Sequence, residues 1–318
     1  MLIQNPPSIP TLLIAIVVCY LRNTKLVVDW HNFGYTILAL KLGDSHPLVS
    51  ISRLYELTLA KYAYRHLTVT NAMRDVLIKD LHLGNVLPLH DRPASLFQPL
   101  SDNEKGIFLD RCAYTADEAV NIAQGRTRLI VSSTSWTADE DFSVLLDALC
   151  TYSAKAISDS PQLPELLVVI TGRGPLKDYY LGQIDRAVKD QKLEMVKIRP
   201  AWLTFDDYAR LLGSADLGVS LHTSSSGVDL PMKVVDMFGT GLPVLGYGNF
   251  IAWPELVQDG VNGKSFSNSE DMATAFVQLL DPADKELENL RQGALRESQR
   301  RWSSEWNPVA GRMFELID

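Results

Sequence analysis

Short apolar runs with strand character alternate with helical spacing along most of the chain. In the first third, Lys25–Asp29 and His66–Thr70 predict buried strands, and helical patterns follow at Leu54–Tyr64 and Asn71–Asp80. A second series of predicted strands comprises Arg128–Ser132, Leu166–Ile170, Glu194–Ile198, Asp216–Leu221 and Pro243–Gly246. Strands separated by helices are typical of βαβ units, so the sequence predicts an α/β protein with parallel sheets.

The two series are separated by Asn85–Leu100, a segment that is rich in proline and poor in periodicity. Such a composition favours a linker. The chain has 318 residues, of which 46% are apolar, which is enough for two ordinary cores. We therefore expect two Rossmann-like domains, over residues 1–98 and 99–300.

One segment, Ile9–Leu21, is strongly apolar. It is too short for a comfortable membrane span, and it lacks the basic start and the cleavage site of a signal peptide. The sequence predicts a buried helix beneath a parallel sheet, with membrane contact as the open alternative.

The net charge limits the kinds of binding partner, and the cysteine content indicates the redox setting. The net charge is −8 and no basic run stands out, which disfavours a nucleic-acid partner. An anionic ligand would have to be held by a few cations and by helix N-termini. The three cysteines are widely spaced, which favours a reducing, cytosolic setting over a disulfide framework.

Ligands of open parallel sheets bind beyond the carboxyl ends of the strands. The most informative such loop is His222–Gly241, where small polar residues lead into a helix near Pro231. Its backbone N–H groups suit a phosphate, Lys233 could neutralise a diphosphate oxygen, and a carboxylate such as Asp236 suits a ribose diol. The alternative is a capped surface helix with one Asp–Lys pair, from Asp229 to Lys233.

Two other loops after strands are less specific. Gly172-Arg173-Gly174 allows a close approach of a ligand to the backbone, but Lys177 breaks the full GxGxxG pattern, so a plain turn is the alternative. The run Ser132–Thr137 holds more hydroxyl groups than ordinary N-capping requires.

In the first domain, Asp29–Tyr35 follows a predicted strand. His31 could bind a sugar or take a proton from an acceptor hydroxyl, whereas a purely structural histidine is the alternative. The sequence holds neither an HExxH nor a CxxC metal motif, and it has no GxSxG nucleophile motif.

The run Leu221–Phe238 (LHTSSSGVDLPMKVVDMF) resembles the donor-site signature of the chitobiosyldiphosphodolichol beta-mannosyltransferases, glycosyltransferase family 33. The stretches at residues 2–12, 28–35, 132–149 and 170–180 are similar to the same family. Residues 253–263 (WPELVQDGVNG) are similar to the wider GT-B group. The resemblance covers nearly the whole chain.

The resemblance implies a GT-B fold, in which an acceptor domain and then a nucleotide-sugar domain face a cleft. It implies inverting, metal-independent transfer of mannose from GDP-mannose to dolichyl-diphosphate chitobiose, with a β-1,4 linkage and no cofactor. The setting would be the cytosolic face of the endoplasmic reticulum membrane, with other mannosyltransferases of the pathway as candidate partners. A last helix, Trp302–Ile317 within residues 301–318, would cross back onto the first domain.

The resemblance also assigns residues to roles. Lys233 would face the diphosphate and Asp236 the ribose, while Asp29 and His31 would lie on the acceptor side as the catalytic pair. The remaining donor-binding residues would be Ser133, Gly172, Arg173, Ser225, Ser226, Gly227 and Asp229.

In one respect the sequence departs from the family pattern. The match begins inside the acceptor domain, so the family's membrane anchor and first Gly-rich loop are not found here, and we expect an incomplete first domain. An alternative is therefore a truncated, non-catalytic homologue that binds GDP-mannose or a partner. An oxidoreductase is disfavoured because the dinucleotide motif is incomplete.

Overall fold

The computed structural model describes residues 1–137, 139–158 and 163–316. Its first half contains a parallel sheet with strand order β1-β2-β3-β4. The strands are β1 (Leu2–Asn5), β2 (Val27–Trp30), β3 (Arg65–Thr68) and β4 (Val86–Pro88). The helices that connect and follow them are α1 (Thr11–Leu21), α2 (Gly34–Leu42), α3 (Pro47–Ala60) and α4 (Asn71–Lys79).

Helix α1 is only half-buried, which corrects the expectation of a buried helix over Ile9–Leu21. Leu12, Ala15 and Cys19 lie on one face and join the core, whereas Ile14 on the opposite side is 56% exposed. The first sheet covers one face of α1, and no described element covers the opposite face. None of the helices in the described part of the chain is long and apolar enough to cross a bilayer.

The second half contains a six-stranded parallel sheet with strand order β10-β9-β8-β5-β6-β7. The strands are β5 (Thr127–Ser133), β6 (Glu165–Thr171), β7 (Val196–Ala201), β8 (Leu217–Ser220), β9 (Val244–Tyr247) and β10 (Gly263–Phe266). The apolar run in β6 is continuous because both faces of a central parallel strand are covered by helices. From Leu166 to Ile170, every residue is fully buried.

Ten helices of the described residues follow the first sheet in the chain. They are α5 (Asp102–Arg111), α6 (Ala119–Ala123), α7 (Phe142–Ser158), α8 (Lys177–Lys189), α9 (Phe205–Ser214), α10 (Met232–Gly239), α11 (Trp253–Leu256), α12 (Ser269–Leu280), α13 (Glu286–Glu297) and α14 (Trp302–Trp306). Helix α5 begins at a capping box, in which Ser101 and Glu104 satisfy each other's backbone amides.

The segment Asn85–Leu100 is not a simple linker, because β4 occupies its start and pairs in parallel with β3. Pro88 is tolerated there because β4 is an edge strand, which does not need every amide for the ladder. Strands β1 and β10 were not predicted from the sequence.

After α14, the chain continues as a π-helix at Asn307–Gly311. Ala310 is fully buried against Val27, Leu67 and Leu89, so this segment packs on the first sheet. The predicted helix Trp302–Ile317 is thus divided into two elements, and Ile317 lies outside the described residues.

Candidate active site

The order of the second sheet reverses at the pair β5 and β8, because β6 and β7 lie to one side of it and β9 and β10 to the other. Ligands of open parallel sheets bind in the crevice beyond such a reversal. The loops that follow β5 and β8 are Thr134–Thr137 and Leu221–Leu230. The sequence singled out both, and the fold brings them together.

The loop after β8 also meets the first half of the chain. The Asn32 side chain donates to Ser225 Oγ at 3.2 Å, and the hydroxyl of Thr36 lies 3.2 Å from the same oxygen. Nearby, the Thr70 hydroxyl donates to the Val228 carbonyl at 2.6 Å. The carboxyl ends of the two sheets therefore face each other across a cleft.

Asp229 organises the loop after β8 from within. His222 Nε2 lies 3.0 Å from one of its carboxylate oxygens, and the hydroxyls of Ser224 and Ser226 donate to the other. Burial would raise the pKa of Asp229, but the hydrogen bonds from His222 and Ser224 outweigh it and hold the pKa below its usual range. Helix α10 begins at Met232 and does not extend back to Asp229, so Asp229 shapes the loop.

Lys233, in the first turn of α10, points at the loop after β5. Its ammonium lies 2.5 Å from Glu140 Oε1 and donates to Ser135 Oγ at 3.2 Å. Glu140 is buried, and its other oxygen accepts from the Ser135 amide and from the Thr134 hydroxyl. This ion pair holds one cation at the mouth of the crevice. Glu140 was not predicted, because the cation that it pairs with, Lys233, is distant in sequence.

An apolar cavity of about 370 Å³ opens beyond β6 and β7. It is lined by Thr171, Gly172, Ala201, Trp202, Leu203, Phe205 and Tyr208. The Ser133 hydroxyl lies 2.9 Å from the Tyr208 hydroxyl, and the Arg173 guanidinium stacks 3.6 Å from the centre of the Trp202 ring. An aromatic wall with cationic and hydroxyl groups at its rim suits a flat heterocycle.

The Asp236 carboxyl, on α10, borders this region. Burial raises the pKa of Asp236 to about 7. Burial also raises the pKa of Tyr208, to about 12. The hydrogen bond to Ser133 opposes this rise, and the charge of Asp236 adds to it. Among the described residues, no hydrogen-bond partner of Asp236 is found, so its oxygens are free for a ligand.

The two glycines of Gly172-Arg173-Gly174 are required by packing between loops. A Cβ at Gly172 would lie 1.8 Å from the Thr134 carbonyl oxygen, and one at Gly174 would lie 1.7 Å from that of Ser135. Gly172 also has a φ of +132°, which L side chains rarely adopt. The glycines therefore serve the contact between the β5 and β6 loops, whereas Arg173 borders the cavity.

On the first half's side of the cleft, His31 lies between two carboxylates. Its Nε2 is 3.1 Å from Asp29 Oδ2 and its Nδ1 is 3.5 Å from Asp91 Oδ2. Burial lowers the pKa of His31, but the hydrogen bond with Asp29 and the charge of Asp91 outweigh it, and the pKa is raised. Asp91 was not predicted, because it lies in the segment interpreted as a linker.

Glu56, on α3, positions the loop that carries His31. One of its oxygens accepts from the Asn5 side chain at 2.7 Å and from the Gly34 amide at 3.0 Å, and the other accepts from the Tyr35 amide at 3.2 Å. A buried carboxylate thus caps the start of α2. This anchoring fixes residues 31–34 at the carboxyl end of β2.

Glu255, on α11, crosses the cleft to the N-terminus of α4. It accepts from the amides of Asn71 and Ala72 at 2.7 and 2.6 Å, and His90 Nε2 lies 3.3 Å away. Burial opposes ionisation, but the hydrogen bonds from His90 and from the Asn71 and Ala72 amides prevail and lower the pKa of Glu255 to about 2. No group of three or more His, Cys, Asp or Glu side chains within the described ranges could hold a metal ion.

Comparison with known proteins decides the family. Residues 126–282 match the model of the family described as "Glycosyl transferases group 1". A curated protein of Arthroderma benhamiae is 51% identical over 99% of this chain and 71% of its own length. A Homo sapiens protein is 42% identical over 96% of this chain and 70% of its own length. Both are named chitobiosyldiphosphodolichol beta-mannosyltransferase.

The chain belongs to this family of glycosyltransferases. The family membership predicted from the sequence is thereby confirmed. The chain covers about 70% of the length of the two relatives.

Solved structures agree on the fold. Anabaena HepE in complex with UDP aligns with a TM-score of 0.73 over 99% of this chain and 79% of that chain, at 16% identity. Sucrose-phosphate synthase from Thermosynechococcus elongatus aligns with a TM-score of 0.65 over 96% of this chain and 71% of that chain, at 14% identity. The predicted α/β architecture of two Rossmann-like sheets is confirmed, and it is GT-B.

Proposed function

We propose that this glycosyltransferase moves mannose from GDP-mannose to dolichyl-diphosphate chitobiose, with a β-1,4 linkage, during assembly of the lipid-linked oligosaccharide for protein N-glycosylation. The observation that supports it most is the constellation at the sheet reversal, where Lys233, Asp236 and the loop after β8 surround one crevice. The names of relatives at 42 and 51% identity support the choice of acceptor.

The donor occupies the second half in this proposal. The Lys233 ammonium and the N-terminus of α10 face the diphosphate, with Ser225, Ser226 and Gly227 in the loop beside it. Asp236, with unoccupied oxygens, accepts hydrogen bonds from the ribose diol. Guanine lies in the aromatic cavity, where the groups that line or border it are Ser133, Gly172 and Arg173.

The reaction we propose is inverting and metal-independent. As the bond from mannose C1 to the diphosphate breaks, negative charge develops on GDP, and Lys233 together with the α10 dipole stabilises it. The acceptor hydroxyl attacks from the opposite face of the sugar, so its base lies in the first half, at the Asp29 and His31 end of β2.

We further propose a division of labour, in which residues 1–98 bind the acceptor, residues 99–300 bind the donor, and residues 301–318 brace the two. The Arg92 ion pairs with Glu297 and Glu305, at 2.9 and 2.5 Å, support such a brace. The cytosolic face of the endoplasmic reticulum membrane is the proposed setting, because the acceptor is a dolichol lipid. Other mannosyltransferases of the pathway are the proposed protein partners.

The test combines binding with transfer. We expect calorimetry to detect GDP-mannose binding, and we expect a phytanyl-diphosphate chitobiose to gain one hexose that β-mannosidase removes and α-mannosidase does not. Lys79→Ala is the matched control for Lys233→Ala, because Lys79 forms only an exposed ion pair with Asp75. A folded chain that binds GDP-mannose but leaves the acceptor unchanged would contradict the proposal.

A further inference from the structure

The surroundings of His31 determine its protonation state. A neutral imidazole has one N–H and one lone pair, so only one of its nitrogens can face a carboxylate favourably. Both nitrogens of His31 face carboxylates, Asp29 at 3.1 Å and Asp91 at 3.5 Å. When Asp29 and Asp91 are both ionised, only the imidazolium form, with two N–H groups, suits both neighbours. An imidazolium has no lone pair with which to accept a proton.

The two carboxylates differ in access. Asp91 Oδ2 is buried without a hydrogen-bond partner, and the Asp91 side chain is 14% exposed, whereas that of Asp29 is 23% exposed. The other charged groups near Asp91 have partners of their own. His90 lies against Glu255, and Arg92 pairs with Glu297 and Glu305. His31 is thus the available counter-ion of Asp91, and Asp29 is the carboxylate that can meet a ligand in the cleft.

We propose that Asp91 is a positioning residue that holds His31 as an imidazolium, and that Asp29 rather than His31 receives the proton of the acceptor hydroxyl. This inference rests on the proposed function. As the acceptor oxygen bonds to mannose C1, its proton passes to an oxygen of Asp29, and the electron pair of the breaking bond leaves with GDP. His31 orients Asp29 through its N–H, and the carboxylate of Asp91 offsets the imidazolium charge.

The first measurement is ¹⁵N NMR of the imidazole rings, with His31 assigned by its loss in His31→Gln. We expect His31 to be an imidazolium at pH 7.5, and we expect Asp91→Asn to lower its titration midpoint by about one pH unit. Asp44→Asn is the control, because Asp44 is exposed. A neutral His31 at pH 7.5, or a midpoint that Asp91→Asn leaves unchanged, would overturn the proposal. The measurement needs no turnover, so it is independent of the proposed function.

Kinetics supply the second measurement. We expect Asp29→Asn to lower kcat by about 10²- to 10⁴-fold, the range for loss of a general base, with GDP-mannose affinity unchanged. His31→Gln keeps an N–H toward Asp29, so we expect it to retain kcat within about tenfold, since it loses orientation but not the base. If His31→Gln loses as much kcat as Asp29→Asn, His31 is the base and the proposal is wrong. If the wild-type chain shows no transfer while His31 is an imidazolium, the proposed function fails instead.

Discussion

Replacement of Lys233 by Ala tests the donor site through two separable effects, on stability and on affinity. In the free protein, Lys233 is the counter-ion of buried Glu140. Loss of one member of a fully buried ion pair destabilises by about 3–5 kcal/mol. The Lys233 side chain is 32% exposed, so water covers part of the charge that is lost. We therefore expect Lys233→Ala to lower the free energy of unfolding by about 1–3 kcal/mol.

The double variant Lys233→Ala, Glu140→Gln separates the two effects. Glu140 Oε2 accepts both the Ser135 amide and the Thr134 hydroxyl, so a glutamine oxygen in that place keeps both hydrogen bonds. The amide nitrogen of the glutamine then occupies the site of Oε1. Because the glutamine is neutral, the unpaired negative charge of Glu140 is absent from the double variant. We expect the double variant to recover most of the lost stability in urea unfolding followed by circular dichroism.

Affinity should not recover with stability. A charge-assisted hydrogen bond contributes about 1.5–3 kcal/mol, which corresponds to about 10- to 150-fold in Kd. We expect both the single and the double variant to bind GDP more weakly by that factor in calorimetry, and Lys79→Ala to leave both properties within error. If the double variant regains full GDP affinity, or if Lys233→Ala retains it, Lys233 does not contact the diphosphate and the donor site is misassigned.

Three further predictions concern pH and packing. The pKa of Asp236 is raised to about 7, so its contribution to the free energy of unfolding should fall as pH rises from 4 to 7. In Asp236→Asn, the midpoint of urea unfolding should therefore depend less on pH over that range. The pKa of Glu255 is lowered to about 2, so Glu255→Gln should reduce stability above pH 4.5 and lose its effect as pH falls toward 2, again in urea. Gly172→Ala should lower the free energy of unfolding by about 2–4 kcal/mol, because its Cβ would meet the Thr134 carbonyl. The control Gly182→Ala, in open space on α8, should raise it by about 0.5–1 kcal/mol, and thermal unfolding measures both.

The elements that could be predicted most clearly from the sequence are those that are buried on both faces and therefore carry a continuous run of apolar residues. Leu166–Ile170 is apolar at every position because both faces of β6 are covered, so the pattern is complete within the segment. Strand β4 was hidden by Pro88, which an edge position tolerates. Strand β1 has only Asn5 fully buried, so its four residues carry little apolar signal. The sequence did not indicate which face of α1 is exposed, because the helix is apolar on all sides.

The same limit applies to the site. Lys233 and Asp236 could be proposed from the sequence because they lie in one short motif that follows a strand, and their spacing on α10 is local information. Glu140, Asp91 and Glu255 act through partners from other parts of the fold. Each is an acidic residue in a polar loop or a short helix, which is a common surface pattern. Only the tertiary structure reveals the cation or the backbone amide that each one faces.

The loop after β8, which we propose binds the donor, is held in place by hydrogen bonds from the first half of the chain. Ser225 Oγ is held by Asn32, which is next to His31, and by Thr36, while the Val228 carbonyl is held by Thr70. A change in the first half that moves residues 31–36 would therefore move the loop after β8 as well. We therefore expect binding of the proposed acceptor beside His31 and binding of the proposed donor beside Ser225 to be energetically coupled. By thermodynamic linkage, each ligand would then alter the affinity for the other by the same factor.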